Sequence, residues 1–140
     1  MKKRKPCGRS DLRIENYFEQ IHLTINDCPI IQSFNLAFDK RGSHEGFIHG
    51  EIYFLDGSCL HIREYIDVET SIDRIVYAYQ YMASGGKMVF RYDNSGHHKK
   101  LNLKTYPHHK HIESGDTVVE SNAPNLDHVL KEIISIIPLS

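Results

Sequence analysis

The sequence is poor in cysteine and lacks the spacings that make cysteine a metal ligand. Its three cysteines, Cys7, Cys28 and Cys59, stand far apart, and an odd number cannot all pair within one chain. Neither a C-x-x-C pair nor a zinc-finger spacing occurs. This pattern argues against a disulfide-stabilised secreted protein and favours a reducing compartment. We therefore expect a cytoplasmic protein without cysteine-bound zinc.

Long apolar runs and a large net charge are also missing. No stretch approaches the length that spans a bilayer, and no signal-peptide hydrophobic segment follows the N-terminus. We therefore expect no membrane association. The formal net charge of −1 excludes a whole-protein electrostatic field that attracts nucleic acid.

Positive charge is nevertheless concentrated in residues 1–9, before any apolar pattern begins. We interpret this segment as a solvated basic tail rather than a phosphate-binding arm. The remaining residues, 10–140, are of a length typical of one domain, and the 40% hydrophobic content suffices for one core. The basic residues of the tail are Lys2, Lys3, Arg4, Lys5 and Arg9.

Apolar residues recur at helical spacing near both ends of the chain. The first predicted helix begins after Ser10, which is suited to cap its free N–H groups, and ends before Pro29. The second begins at Pro124-Asn125, with Asn125 as its cap. The two apolar stripes comprise Ile14, Tyr17, Phe18, Ile21 and Ile25, and Leu126, Val129, Leu130, Ile133, Ile134 and Ile137.

Between the helices the apolar residues follow a period of two, which is typical of half-buried strands. Five strands are predicted in this way, and segments 101–103, 106–112 and 118–119 each offer a further short edge strand. The aligned residues are Phe34, Leu36 and Phe38; Ile48, Gly50, Ile52 and Phe54; Leu60, Ile62 and Ile66; Ile75, Tyr77, Tyr79 and Tyr81; and Met88, Phe90 and Tyr92.

The Asp56-Gly57 pair predicts a tight hairpin between the second and third strands. A two-residue loop would put the apolar faces of these strands on opposite sides of the sheet, whereas an odd-length loop aligns Ile52 with Ile62. We therefore expect a three-residue loop with Gly57 in the left-handed conformation next to a bulge. In that register Glu64 points towards the core, where a carboxylate needs a partner. It is either a structural hydrogen-bond acceptor or a site residue.

Together these patterns predict an α+β fold of one domain. Its sheet is an antiparallel β-meander of five to six strands packed against an N-terminal and a C-terminal helix.

The chain is rich in histidine, a residue that can catalyse proton transfer or bind a metal. The chain has ten histidines, of which five fall in a fifteen-residue window: His97, His98, His108, His109 and His111. Asp93-Asn94 favours a turn that would hold His97 and His98 near the sheet end. If the second stretch is extended, His109 and His111 share one face and His108 and Lys110 share the other.

These residue types suit metal-independent cleavage of RNA. Two imidazoles can act as base and acid in one reaction, because they titrate near neutral pH. A lysine such as Lys110 can stabilise developing negative charge, and Arg91 can bind a phosphate. We expect Glu64, Arg91, Asp93 and at least two of the clustered histidines to meet at one end of the sheet.

Two other interpretations remain open. Histidines with Asp93 or Glu64 could bind zinc or another transition metal, although doublet histidines have no fixed ligand spacing. Alternatively, the cluster is structural, fixing loops through hydrogen bonds, or it binds a partner protein. Neither interpretation requires an enzyme.

The ordered motifs resemble the TumE-type family from about Cys28 to the C-terminal helix. The motifs are Asp56-Gly57-Ser58, Glu64, Phe90-Arg91-Tyr92-Asp93-Asn94, His97-His98 and Pro107-His108-His109-Lys110-His111. The resemblance implies the toxin component of a prokaryotic toxin–antitoxin pair, usually accompanied by a helix-turn-helix antitoxin.

We therefore interpret the chain as a toxin that acts on RNA without a cofactor and is neutralised by an antitoxin protein. The expected catalytic residues are His97, His98, His109, His111, Lys110 and Glu64. The expected binding residues are Arg91, Tyr92, Asp93, Asn94 and His108.

Overall fold

A computed structural model describes residues 12–95, 105–112 and 117–137 of the chain. These residues form two helices and seven strands in the order α1, β1 to β7, α2. The elements are α1 (Ile14–Asn26), β1 (Ile31–Lys40), β2 (Glu45–Phe54), β3 (Cys59–Asp67), β4 (Asp73–Met82), β5 (Met88–Asp93), β6 (His109–Ile112), β7 (Thr117–Glu120) and α2 (Leu126–Ile136).

The seven strands form one sheet in sequence order, and every neighbouring pair is antiparallel. The predicted α+β meander with two helices is therefore confirmed, but the described strands number seven rather than five or six. The difference arises because two of the optional edge segments, 106–112 and 118–119, each contribute a strand, β6 and β7, of four residues. The third optional segment, 101–103, lies outside the described residues. Neither described helix is long and apolar enough to cross a membrane.

Both helices pack on the same face of the sheet and bury a single core. The buried residues of α1 are those of the predicted stripe, apart from Phe18, which is partly buried. We call the covered side the helix face and the opposite side the distal face. The buried strand residues of the helix face include Ile48, Ile52, Phe54, Leu60, Ile62, Ile66, Tyr77, Tyr79, Tyr81, Phe90 and Tyr92.

The helix caps agree in part with the sequence. Asn125 caps α2, since its side chain accepts a hydrogen bond from the His128 backbone N–H at 3.0 Å. The predicted cap Ser10 lies outside the described residues. Helix α1 begins at Ile14 with Arg13 as its N-cap, and the Asn16 side chain accepts from the Arg13 backbone N–H at 3.0 Å.

The hairpin between β2 and β3 has the predicted register. Phe54 and Ser58 close a three-residue loop, and Gly57 has a φ of 85°. Ile52 pairs with Leu60 and Ile48 with Glu64, so the apolar residues of both strands share the helix face. Glu64 points into the core as expected and is 1% exposed.

The prediction for Ile75 was wrong. Tyr65 pairs with Val76 whereas Ile66 pairs with Arg74, so Ile75 is the extra residue of a β-bulge. Its side chain is therefore 45% exposed rather than aligned with the buried tyrosines of β4. The same bulge places Arg74 opposite the buried Ile66, on the helix face.

Gly50 in β2 occupies a position that other residues cannot fill without a backbone shift. Its φ is +141°, and an added Cβ would lie 2.0 Å from the Asn35 carbonyl oxygen of β1. We predict that Gly50→Ala lowers the free energy of unfolding by about 2–4 kcal/mol, because backbone strain and a clash with β1 combine. Urea denaturation followed by circular dichroism measures this change.

Gly85→Ala is the matched control, since an added Cβ at Gly85 meets no atom within 4 Å. Its free energy of unfolding should stay within about 0.5 kcal/mol of the wild type. Equal effects of the two substitutions would contradict the close approach of β1 to Gly50.

Candidate functional site

The strand register divides the predicted site residues between the two faces of the sheet. Cross-strand partners share a face, and neighbouring residues in a strand point to opposite faces. Arg63, Ala78, Asp93 and His109 form one row of partners across β3 to β6. The next row on the same side is His61, Gln80, Arg91 and His111. Because Glu64 and Tyr77 form a pair in the helix-face row, these two rows lie on the distal face.

Asp93 is the centre of the distal-face cluster. Its Oδ2 accepts from Nε of Arg91 at 2.8 Å and lies 3.5 Å from Nε2 of His111. Its Oδ1 lies 2.7 Å from Nε2 of His109 and accepts from the Ser95 backbone N–H at 3.0 Å. Four groups therefore surround one carboxylate that is 4% exposed.

These contacts keep Asp93 ionised. Burial by itself raises the pKa of Asp93, but the hydrogen bonds from Arg91 and the Ser95 amide, together with the charge of His109, hold it below its usual value. The cluster thus contains a buried negative charge that its neighbours balance. Removing Arg91 or His109, which lie 2.8 Å and 2.7 Å from the carboxylate, exposes a desolvation penalty.

His109 is held in one orientation by the groups at its two ring nitrogens. Its Nδ1 lies 2.9 Å from the Pro107 carbonyl oxygen, which can only accept, so Nδ1 carries a proton. Its Nε2 lies 2.7 Å from Oδ1 of Asp93. The His109 ring is 1% exposed and is held between these two groups.

His111 is the more accessible histidine of the described cluster. The side chain is 16% exposed, against 2% for His109, and the two rings lie 4.9 Å apart in an edge-to-face arrangement. The Arg91 side chain is 37% exposed, and its Nη1 donates to the Gln80 side chain at 2.9 Å. Solvent therefore reaches His111 and Arg91, while Asp93 and His109 lie beneath them.

The same residues offer a set of zinc-type ligands. One donor atom each of Asp93, His109 and His111 lies within 4.8 Å of the others. A tetrahedral zinc ion with bonds of about 2.0–2.1 Å separates two ligand atoms by roughly 3.3 Å. The 2.7 Å between His109 and Asp93 is shorter than this separation. These three residues could nevertheless hold a metal ion, whereas Arg91 engages the remaining carboxylate oxygen of Asp93.

Asn94 extends the pairing of β4 and β5 beyond the last residue of β5. Its side-chain oxygen accepts from the Tyr77 backbone N–H at 3.0 Å, and its Nδ2 donates to the Ile75 carbonyl at 3.0 Å. The side chain thus satisfies backbone groups beside the β-bulge. Asn94 fixes the strand end from which the adjacent Asp93 projects.

Glu64 belongs to a separate network on the helix face. The hydroxyls of Tyr17 and Tyr79 donate to its two carboxylate oxygens. Burial raises the pKa of Glu64, although the two tyrosines and Arg74 act in the opposite direction. Arg74 donates to the Tyr79 hydroxyl at 3.1 Å and links β4 to the segment before α2.

His108 joins this network at its margin. Its Nδ1 lies 2.8 Å from the Tyr77 hydroxyl, and the rings are stacked with centroids 5.7 Å apart. Burial raises the pKa of Tyr77 to about 12, so the phenol stays protonated and donates to the imidazole. Burial and the cations Arg74 and His109 lower the pKa of His108. His108 is therefore a neutral acceptor at pH 7.

Lys110 fastens β6 to α2. Its Nζ lies 3.0 Å from Glu132, which also accepts from the Tyr92 hydroxyl at 2.6 Å. The ammonium lies 4.8 Å from the centroid of the Tyr92 ring. Lys110 and Tyr92 thus stabilise the contact of β5 and β6 with α2.

The structure brings together only some of the predicted site residues. Arg91, Asp93, His109 and His111 meet on the distal face, and the predicted division of the His108–His111 stretch between two faces is confirmed. Glu64 does not join them, because the sheet separates it from Asp93. His108, Lys110 and Tyr92 lie on the side of Glu64. His97 and His98 lie outside the described residues.

Two residues with roles in these networks were missed by sequence reasoning. Arg74 anchors the helix-face network, and its position depends on a bulge that no turn residue marks. Gln80 orients Arg91, and its place between Tyr79 and Tyr81 shows only that it faces away from the core.

Comparison with known proteins gives a family match. The chain matches the family model described as Toxin TumE over residues 21–137. The match begins within α1 and includes all the strands of the described residues, both faces described above and α2. No curated protein and no solved structure matches the chain.

The raised pKa of Glu64 leads to a pH-dependent prediction for Glu64→Gln. The fold favours the neutral carboxyl, so ionisation at higher pH opposes folding. The free energy of unfolding of Glu64→Gln relative to the wild type should rise with pH. The rise, at most about 1.4 kcal/mol per pH unit, should begin near pH 4.3 and end at the pKa of folded Glu64. Urea denaturation at a series of pH values measures it.

Glu69→Gln is the control, because Glu69 is exposed in the loop after β3. Its curve should run parallel to that of the wild type. A pH-independent difference for Glu64→Gln would show that the folded protein does not favour the neutral form of Glu64.

Proposed function

The chain belongs to the TumE toxin family, and we propose that it acts on RNA through the distal-face cluster as the toxin of a prokaryotic toxin–antitoxin module. The observation that supports this action is the arrangement around Asp93. One buried carboxylate holds a partly exposed arginine and a partly exposed histidine side by side, with a second histidine beneath them.

Metal-independent RNA cleavage needs three catalytic groups from a protein. A base removes the proton of a ribose 2′-hydroxyl, a cation stabilises the phosphate, and an acid protonates the 5′-oxygen that leaves. The 2′-oxygen–phosphorus bond forms as the bond from phosphorus to the 5′-oxygen breaks. The products are a 2′,3′-cyclic phosphate and a 5′-hydroxyl.

We assign these catalytic roles to the exposed residues of the distal-face cluster. His111 is the proton-transfer group, because it is the described histidine of the cluster that solvent reaches. Arg91 binds the phosphate through guanidinium N–H groups that point away from Asp93 and Gln80. Asp93 and His109 are positioning residues, since burial keeps both from the substrate.

The second proton-transfer group is proposed on sequence alone. His97 and His98 follow Asp93-Asn94 closely in the chain, and both lie outside the described residues. One of them would complete an acid–base pair with His111. In this proposal Glu64, Lys110, His108 and Tyr92 support the fold from the helix face.

The proposed setting follows from the family and the substrate. Action on RNA places the toxin in the cytoplasm and needs no bound cofactor for the reaction written above. A toxin of this kind needs an antitoxin that neutralises it, and we propose a helix-turn-helix protein for that role.

One observation favours a different function. Both ring nitrogens of His109 face acceptors, and the residue is 1% exposed, as in a purely structural cluster. In that case the protein is a non-enzymatic module whose distal face binds a partner protein. The two functions differ in what the loss of His111 does.

We predict that His111→Ala abolishes growth inhibition while the protein remains folded. Removal of a general acid or base lowers the rate by about 10²–10⁴. His111 lies 3.5 Å from an Asp93 that three other groups already contact, so the loss of stability should stay within about 1 kcal/mol. Growth of a host expressing the variant without antitoxin, and the melting temperature of the purified variant, are measured together.

His128→Ala is the matched control, since it removes an exposed histidine from α2. It should inhibit growth as the wild type does. His109→Ala should lose both toxicity and about 1–3 kcal/mol of stability, because buried Asp93 loses a partner. A folded His111→Ala variant with full toxicity would end the catalytic assignment.

A further inference from the structure

The distal face carries a second group of side chains on β2 and β3, in line with the Asp93 cluster. His49 pairs with Arg63, and Arg63 pairs with Ala78, the partner of Asp93. Two strand spacings therefore separate Arg63 from Asp93, or roughly 10 Å. A few nucleotides bridge that span. Ala78 lies between them and is buried.

The group consists of the Phe47 ring and two polar side chains that contact it, Arg63 and His49. The guanidinium of Arg63 lies 5.6 Å from the centroid of the Phe47 ring, and the rings of Phe47 and His49 lie 4.9 Å apart. Arg63 and His49 are exposed, and Phe47 is half-buried. An arginine held against an aromatic ring can contact a phosphate while a base stacks beside it.

The charges of this region suit a polyanion. Arg63 and Arg91 are the arginines of the two rows, and Asp93 is balanced by its own partners. Glu51 lies 3.9 Å from the ring nitrogen of His61 and is 34% exposed. A phosphate chain that runs from Arg91 to Arg63 therefore meets two cations and the partly exposed carboxylate of Glu51. Two further carboxylates lie beside Phe47: Asp39, which is paired with Arg41, and Glu45, which accepts a hydrogen bond from Tyr65.

We infer that Phe47, His49 and Arg63 form a binding platform for single-stranded RNA, continuous with the Asp93 cluster. Phe47 stacks on a base, and Arg63 contacts a phosphate a few nucleotides from the one bound by Arg91. The platform rests on the proposed function, because RNA is its ligand. It adds a place where nucleotides beside the scissile bond are bound.

Single-stranded rather than double-stranded RNA fits this surface. Stacking needs bases that are free of a partner strand, and a protein sheet with exposed aromatics offers them a flat support. A duplex presents mainly phosphates and sugar hydroxyls, which Phe47 cannot stack on. The platform should therefore prefer single strands of the same sequence.

Fluorescence anisotropy tests the platform with a labelled oligoribonucleotide whose 2′-hydroxyls are methylated, so that cleavage does not intervene. Phe47→Leu keeps the apolar contact but removes the ring, and it should weaken binding about tenfold. Arg63→Gln should weaken binding several-fold. It should also reduce the slope of log affinity against log salt by about 0.7, the contribution of one phosphate on a single strand.

Lys131→Gln is the control, because it removes an exposed charge from α2, which lies on the other side of the sheet from the platform. It should bind the oligonucleotide as the wild type does. The inference is overturned if the wild type does not bind, if both platform variants bind normally, or if a duplex binds as tightly as the single strand.

The two proposals fail separately. Binding that depends on Arg63, together with full toxicity of folded His111→Ala, would retain the platform and reject the catalytic assignment. Loss of toxicity in His111→Ala, together with normal binding by both platform variants, would reject the platform alone.

Discussion

The buried carboxylate of Asp93 is the interaction on which the distal face depends. It is 4% exposed and is contacted by Arg91, His109, His111 and the Ser95 amide. A buried charge is stable only when its neighbours balance it, so these side chains are held in fixed positions. Arg91 and His111 thereby remain beside each other at a surface that solvent reaches. The positions of the side chains that could act on a ligand at this face are therefore set by one buried charge.

The second constraint is the period of two along each strand. Lys110 lies between His109 and His111 in β6 but contacts Glu132 of α2 on the other side of the sheet. Glu64 likewise accepts hydrogen bonds from Tyr17 and Tyr79 beneath the helices, where burial raises the pKa of its carboxyl group. Residues that are neighbours in sequence therefore separate into a face that supports the fold and a face that can meet a ligand.

Much of the fold follows from local patterns in the sequence. The Asp56-Gly57 hairpin sets the register that turns Glu64 inward, and alternation alone places His109 and His111 together. The opposition of Glu64 and Asp93 depends on the pairing of β4 with its neighbours. That pairing contains a bulge at Ile75, which no glycine or proline marks. Long-range register and the partners of polar residues such as Gln80 are set by packing, so sequence patterns did not reveal them.

The chemistry of RNA ends tests most directly whether the distal cluster cleaves RNA by metal-independent acid–base catalysis. RNA is isolated from a host after induction of the toxin, and the termini of new fragments are mapped in parallel with a His111→Ala culture. Attack by the 2′-hydroxyl predicts 2′,3′-cyclic phosphate and 5′-hydroxyl ends that are absent with His111→Ala. Fragments with 5′-phosphate ends, which indicate attack by water, would contradict this mechanism, as would growth arrest without new RNA ends.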